Sequence, residues 1–247
     1  MRYIHKSRNS QARTLLNKAC RNLRKNGVKV IYDNFNDKKK LNDFLRAEQK
    51  NICCYCQRRI DHFQGDSEFG SHNEHFEPEG GPNARIDLQL SYENIYACCN
   101  KSKGLKKNLQ HCGEHKGSEV IQRNFLQMRK CSDYFKYNVN GEILPQCPMN
   151  NFNDVCNNRG ALTTTQSEAL QMIEVLNLNV DSLKEFRRKV VDDILKSTLG
   201  KSKQQLNYTI QKLNTEQKEY VQLVDMVIYF LKKIRSRGCK LNCVSKE

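Results

Sequence analysis

Six cysteines between residues 53 and 112 have the spacing that most clearly predicts chemistry in this sequence. Cys53 and Cys56 have the C-x-x-C spacing that lets two thiolates from one tight turn reach a single metal ion. Cys99 and Cys112 are the predicted second pair, and four thiolates would close a tetrahedral zinc site to water. Cys98 adjoins Cys99, so a shift of one residue would make Cys98 the ligand. The pattern therefore predicts a structural zinc site.

Twelve cysteines could instead form disulfides in an oxidising compartment. The chain begins with a polar stretch rather than the apolar segment of a signal peptide, and no window approaches the roughly 18 apolar residues of a membrane span. We therefore expect a cytoplasmic protein without a membrane partner, whose clustered cysteines bind metal. Reduced, buried thiols are the alternative. Cys239 and Cys243 are further ligand candidates, or simple thiols of a frayed tail.

An acid and a histidine stand side by side between the two cysteine pairs. Hydrolysis of a phosphodiester requires a base for water, a divalent cation beside the phosphate and neutralisation of the leaving oxygen. His75 is the predicted base because imidazole titrates near neutral pH, and Glu74 is a hard oxygen ligand suited to Mg²⁺ or a similar cation. Neighbouring side chains of a strand point to opposite faces, so a turn or bulge must bring both towards one ion.

Two more residues complete the predicted catalytic set. Asn94 follows a loop rich in glycine, proline and asparagine, and its amide is predicted to fix the loop that carries His75. His115 lies shortly after Cys112 and is the predicted second ligand of the catalytic metal. Asn100 competes with His115 for that role, and a further alternative has His115 completing the zinc site in place of a cysteine.

The net charge of +15 indicates a polyanionic partner, for which nucleic acid is the usual candidate. Five lysines beside the predicted site could bind phosphate. They are Lys101, Lys103, Lys106, Lys107 and Lys116. A basic surface that is merely solvated remains the alternative reading of this charge.

The rest of the sequence predicts elements that hold this central stretch. Residues 1–50 are predicted as an N-terminal helical segment, 51–125 as the metal-framed core, and 126–247 as a β-hairpin followed by helices. Asn140-Gly141 predicts a type I′ turn in the hairpin, and Thr165 with Glu168 predicts a capping box. Apolar residues at helical spacing dominate both flanks. The predicted class is α+β and mostly helical.

With these motifs in view, the chain resembles the HNH endonuclease superfamily, and more narrowly the PtuB-like nucleases of bacterial Septu and retron defence systems. The resemblance implies a zinc-stabilised ββα-metal core between N- and C-terminal helices. The chain departs from the compact Cys-x-x-Cys-Asn-x-x-Lys of many HNH proteins, because about a dozen residues separate Cys99 from Cys112. The matching segments are Met1–Ile4, Glu48-Gln49, Cys53–Cys56, Glu74–Pro78, Tyr92–Ile95, Cys99, Cys112–Lys116 and, later in the chain, Leu176–Asn179 with Leu183 and Arg187.

The same resemblance implies a function. It implies metal-dependent cleavage of DNA, or of RNA, by the nuclease effector of an anti-phage system. It also implies a PtuA-like ATPase of the SMC/ABC type as partner. Two other interpretations remain open, a non-catalytic zinc-binding module that docks on nucleic acid or protein, and a helical adaptor whose C-terminal apolar stripes bind the ATPase.

Overall fold

Short strands surrounded by helices make up the protein, and a computed structural model describes residues 1–63, 70–215 and 218–237. The helices are α1 (Gln11–Lys25), α2 (Lys38–Glu48), α3 (Gly113–Lys116), α4 (Phe152–Asn157), α5 (Thr164–Val175), α6 (Asp181–Thr198), α7 (Lys203–Asn214) and α8 (Val224–Arg237). The strands are β1 (His62–Phe63), β2 (Gly70–His75), β3 (Ile95–Cys99), β4 (Phe135–Tyr137) and β5 (Ile143–Pro145). The predicted α+β class is confirmed.

Strand β2 lies at the centre of the main sheet, with β1 parallel on one side and β3 antiparallel on the other. The β2–β3 register pairs His72 with Cys98, Glu74 with Tyr96, and His75 with Ile95. Side chains alternate along a strand, so residues 72 and 74 share one face and residues 71, 73 and 75 share the other. The chain then reaches α3, which completes a strand–strand–helix unit.

The N-terminal helices cover one face of this sheet. Ser10 caps α1 by accepting a hydrogen bond from the backbone N–H of Arg13 at 3.3 Å, and Gly27 follows the helix with a φ of +64° that favours glycine. From α2, the buried Asn42 donates to Asn73 Oδ1 at 3.1 Å and accepts from Ser71 Oγ at 2.8 Å. This polar contact fixes the position of α2 against the β2 face that bears residues 71 and 73.

The C-terminal part contains the predicted hairpin and helices, with two local corrections. β4 and β5 pair antiparallel, but only Gly141 of the turn has a positive φ, so the type I′ prediction for Asn140-Gly141 is wrong. The capping box is formed by Thr163 and Gln166, two residues before the predicted pair. Thr163 has the extended backbone that a cap requires, whereas Thr165 already lies inside the first turn.

One large hydrophobic core joins residues from the N-terminal, central and C-terminal parts. It includes Leu16 of α1, Tyr96 of β3, Ile173 of α5 and Phe230 of α8. The central sheet is therefore packed between the flanking helices. Across the three described ranges, no helix combines the length and apolarity needed to cross a membrane. Cys239 and Cys243 lie outside the described residues.

Candidate functional site

Four buried thiols converge as the sequence predicts. The sulfur atoms of Cys53, Cys56, Cys99 and Cys112 all lie within 4.8 Å of one another, and the four side chains are at most 4% exposed. The Sγ atoms of Cys56 and Cys99 are 3.6 Å apart. Four sulfurs at about 2.3 Å from a tetrahedral zinc ion would be separated by about 3.8 Å. The cluster could therefore hold a metal ion such as zinc.

The first two thiols come from a tight turn tied to the sheet. Ile52 and Arg59 form an antiparallel bridge across the base of the turn, and the backbone N–H of Cys53 donates to the carbonyl of Arg58 at 2.8 Å. The N–H of Cys54 then donates to the carbonyl of Ala97 in β3 at 3.1 Å. These bonds hold the turn against the end of the strand that supplies Cys99.

Cys112 is supplied by a strained backbone just before α3. Its φ of +58° and ψ of −139° are rare for a residue with a side chain, and such strain costs of the order of 1–3 kcal/mol. Its N–H donates to the carbonyl of Leu176, beyond the end of α5, at 2.8 Å. The C-terminal helical part thus takes a direct role in holding the fourth thiol.

Cys98 occupies a different position from Cys99. Its Sγ is 3.8 Å from that of Cys53, and with Cys53 and Cys54 it forms a second group of three thiols that shares Cys53 with the first. The structure therefore includes Cys99, not Cys98, in the four-thiol group. Burial raises the pKa of Cys112 well above its ordinary value. Burial acts in the same direction on Cys53. Hydrogen bonds from neighbouring thiols, led by Cys112, outweigh it and lower the pKa of Cys53 well below the ordinary value. A metal would replace these protons.

A buried arginine supplies positive charge near the thiols. Arg187 of α6 is 2% exposed, and its Nη1 donates to the carbonyl of Gly141 at 2.9 Å. Burial lowers the pKa of Arg187, while electrostatic interactions with Tyr137, Cys56 and Cys112 act in the opposite direction. In the described part of the chain, no carboxylate is recorded in a salt bridge with it. Because zinc with four thiolates carries a net charge of about −2, Arg187 suits the role of counter-charge.

We expect Arg187→Leu to weaken zinc retention without removing any ligand. Mutation of groups that support a metal site from outside the ligand set typically costs 10–100-fold in metal affinity, so we expect zinc to transfer to a chelator about 10-fold faster. Arg188→Leu is the matched control, because that neighbour is exposed and forms a surface pair with Glu185 at 3.9 Å. Equal zinc transfer from both variants would contradict the proposed counter-charge.

A cleft of about 290 Å³ opens next to α3 and is lined by both Glu74 and His75. Glu74 is buried, and its Oε1 lies 3.2 Å from Lys116 Nζ and accepts from the Tyr55 hydroxyl at 3.2 Å. Its Oε2 lies 3.3 Å from His72 Nε2. Burial raises the pKa of Glu74, but Lys116 and His72 outweigh this effect and lower it below the ordinary value. Glu74 is therefore an ionised carboxylate at neutral pH.

His75 points to the other face of β2 but reaches the same cleft. Its Nε2 lies 2.8 Å from the carbonyl of Gln89, so this nitrogen must carry the hydrogen. Its Nδ1 lies 3.1 Å from Glu79 Oε2, and the ring meets Tyr32 edge-on with centroids 4.7 Å apart. Both ring nitrogens thus face acceptors, so Nδ1 can accept a proton from another group only when Glu79 moves away.

Asn94 binds the segment that follows His75. Its Oδ1 accepts from the backbone N–H of Glu77 at 2.7 Å, and its Nδ2 donates to the carbonyls of Glu77 and Leu88 at 3.1 and 3.2 Å. The side chain is 5% exposed. These contacts support β2's exit loop, as the sequence suggested, and keep the Asn94 amide itself away from the cleft lining.

The remaining predicted residues are dispersed. His115 does not line the cleft, and its Nδ1 faces the carbonyl of Val175 at 2.9 Å. Asn100 Oδ1 instead lies 2.6 Å from His72 Nδ1. Lys116 differs from a surface phosphate-binding residue, because it is 2% exposed and its Nζ also donates to the carbonyl of His75 at 2.8 Å. The other four lysines, Lys101, Lys103, Lys106 and Lys107, are exposed.

The sequence interpretation overlooked His72, which adjoins Glu74 in space. The sequence did contain a signal for this proximity, because His72 is two residues before Glu74, and residues two apart in a strand share a face. The buried Arg187 was noted only as part of a resemblance, because no local pattern reveals a partner 46 residues away. A scan of protein-family models gave no match to this chain, and a search of curated proteins gave none either.

Proposed function

We propose that this protein is a metal-dependent endonuclease of the HNH type that hydrolyses phosphodiester bonds of DNA. The observation that carries the proposal is the cleft in which an oriented histidine and an ionised carboxylate meet beside a four-thiol cluster. The resemblance of the Glu74–Pro78, Tyr92–Ile95 and Cys112–Lys116 segments to those of HNH nucleases supports the proposal. RNA is a second possible substrate of the same chemistry.

His75 has the orientation required of a general base. The carbonyl of Gln89 fixes hydrogen on Nε2, and the lone pair of Nδ1 then accepts a proton from water. Glu79 Oε2 at 3.1 Å stabilises the imidazolium that results. The Glu79 side chain is 46% exposed, so it can move aside and admit water to Nδ1.

Glu74 fits a divalent cation, because its Oε2 is an ionised hard oxygen at the edge of the cleft. Such a cation would stabilise the negative charge that develops on the phosphate. Lys116 beside Glu74 adds a fixed positive charge. The exposed lysines between Cys99 and Cys112, together with the net charge of +15, suit attraction of a polyanion to this side of the protein.

Conversion of supercoiled plasmid to nicked circles by the purified full-length protein tests the proposal. We expect nicking with added Mg²⁺ or Mn²⁺, none with the cleft cation removed by brief EDTA treatment, and recovery when the cation returns. Zinc content, measured in the same samples, should stay constant. Absence of nicking with every divalent cation, on both DNA and RNA, would contradict the proposal.

A non-catalytic zinc-binding module that docks on nucleic acid or protein is the second candidate. The burial of His75 favours it, since the ring is only 4% exposed and Glu79 covers Nδ1. In that case, the protein would bind DNA with a strong salt dependence but leave it intact. The nicking assay separates the two candidates.

The resemblance also leads us to propose a role in anti-phage defence with a PtuA-like ATPase as partner. Exposed apolar side chains in the C-terminal part suit a protein interface, because Leu199, Tyr208 and Val221 are 49–68% exposed. We expect Tyr208→Asp to abolish copurification with such an ATPase while leaving folding intact. Retained copurification in this variant would show that the interface lies elsewhere.

A further inference from the structure

We infer that His72 and Glu74 together form the cation site of the cleft, in place of the predicted pair of Glu74 and His115, and that this site prefers a transition-metal ion such as Mn²⁺ to Mg²⁺. What the ion does for hydrolysis rests on the proposed function. That the ion binds rests only on the contacts that follow.

The hydrogen bonds of His72 define which nitrogen is available. Its Nδ1 lies 2.6 Å from Asn100 Oδ1, and because an amide oxygen only accepts, Nδ1 carries the hydrogen. The lone pair of Nε2 then faces Glu74 Oε2 at 3.3 Å. Two acceptors that face each other at this distance need a cation between or beside them, which is either a proton or a metal ion.

The separation of the two atoms fits one metal ion. Metal–nitrogen and metal–oxygen bonds of about 2.1 Å, at angles of 90–110°, place their ends about 3.0–3.4 Å apart. The Nε2–Oε2 distance of 3.3 Å falls in this range without movement of either side chain. Asn100 binds the other ring nitrogen of His72, as hydrogen-bond partners of metal-binding histidines usually do.

The backbone of α3 approaches this pair closely, and glycine at position 113 avoids a clash with both ligand atoms. A Cβ on Gly113, the first residue of α3, would lie 2.7 Å from His72 Nε2 and closer still to Glu74 Oε2. Any side chain at this position would therefore occupy the space in front of both ligand atoms. Gly113 has no positive φ that would itself require glycine, so the close approach explains its identity.

The surrounding charges also favour a cation. Glu79 lines the same cleft, and the charge of Glu114 acts on His72. Lys116 neutralises only the Oε1 side of Glu74. One imidazole with one carboxylate is a mixed ligand set that suits Mn²⁺, Co²⁺, Ni²⁺ or Zn²⁺, whereas Mg²⁺ prefers oxygen ligands alone.

Binding of Mn²⁺ to the zinc-loaded, full-length protein at pH 7.5 tests the inference, with free Mn²⁺ followed by electron paramagnetic resonance. We expect one Mn²⁺ site per chain in the wild type, and affinity at least about 10-fold weaker in His72→Ala. Gly113→Ala should lose affinity similarly by filling the space. His5→Ala is the matched control, since His5 is exposed and contacts Tyr3 at the N-terminus, and it should bind as the wild type does.

His72→Asp keeps the inference testable if the alanine variant folds poorly. An all-oxygen pair should retain a cation and shift its preference towards Mg²⁺. The inference is overturned if the wild type binds no Mn²⁺, which would leave a proton between His72 and Glu74, or if His115→Ala rather than His72→Ala removes binding. Binding of Mn²⁺ by a wild type that cleaves no nucleic acid would support this site and contradict the proposed function.

Discussion

Cys112→Ser is expected to remove zinc from the protein and to lower its melting temperature by about 10 °C or more. Structural zinc contributes about 10–16 kcal/mol of apparent binding energy in zinc-finger peptides, and this energy is available only to the folded state. The expected shift assumes that the variant loses one third of this energy. Each kcal/mol of lost stability lowers the melting temperature by about 2–4 °C for a domain of this size. Cys112 also carries backbone strain that the metal bond would offset.

Zinc content and thermal unfolding should be measured on the same samples, with Cys98→Ser as the matched control. Cys98 is as buried as Cys112, with both thiols 0% exposed, but lies outside the four-thiol group. We expect the control to retain one zinc ion per chain. Loss of zinc from Cys98→Ser combined with retention in Cys99→Ser would instead make Cys98 the ligand.

His75→Ala is expected to reduce DNA nicking by about 10²–10⁴-fold, the usual contribution of a general base. The variant removes Nδ1, and neither nitrogen of this ring contacts a thiol. Zinc content should therefore remain that of the wild type. Initial rates of plasmid nicking at saturating cation measure the effect directly.

His75→Gln separates the chemical role from packing. His75 packs edge-on against Tyr32, so its loss also costs stability, and the glutamine variant fills more of the space while it cannot act as a base. We expect both variants to be inactive, although the glutamine variant should unfold closer to the wild type. Nicking by either variant at more than about one tenth of the wild-type rate would exclude His75 as the base, given the usual size of that contribution.

Local spacing was sufficient to predict the first pair of thiols in the cluster. C-x-x-C fixes Cys53 and Cys56 in one turn whatever the rest of the chain does. The choice between Cys98 and Cys99 could not be made locally, because it depends on the register that pairs Ser71 with Cys99. A shift of one residue would have exchanged the two thiols between the faces of the sheet.

The cleft was harder to predict because its geometry depends on distant contacts. Strand alternation already indicated that Glu74 and His75 point to opposite faces, and the structure brings both to one cleft without a bulge at this point. The roll of α3 is set by the bond from Cys112 to the carbonyl of Leu176 and by the contact of His115 with Val175. Each of these contacts joins residues more than 50 positions apart in the sequence. Neither the hydrophobic pattern nor helix propensity could therefore predict that the His115 side chain points away from the cleft.

The ends of helices and hairpins could also be predicted only in part from the sequence. Thr163, Thr164 and Thr165 are three candidate caps in a row, and both Thr163 with Gln166 and Thr165 with Glu168 match the capping-box spacing, so spacing alone leaves two choices. The hairpin was predictable from the flanking apolar residues. The turn type was not predictable from the Asn140-Gly141 pair. Five residues lie between the paired Tyr137 and Ile143, and in this loop only Gly141 adopts a positive φ.

The proposed nuclease site depends on one ion bound by four sulfur atoms, since the cleft is built on the strand and helix that these thiols join. X-ray absorption at the zinc edge of the purified full-length protein measures this most directly. We predict one zinc ion per chain with four sulfur neighbours at about 2.3 Å. A protein that purifies without zinc, or whose zinc has a shell rich in nitrogen and oxygen, would contradict it.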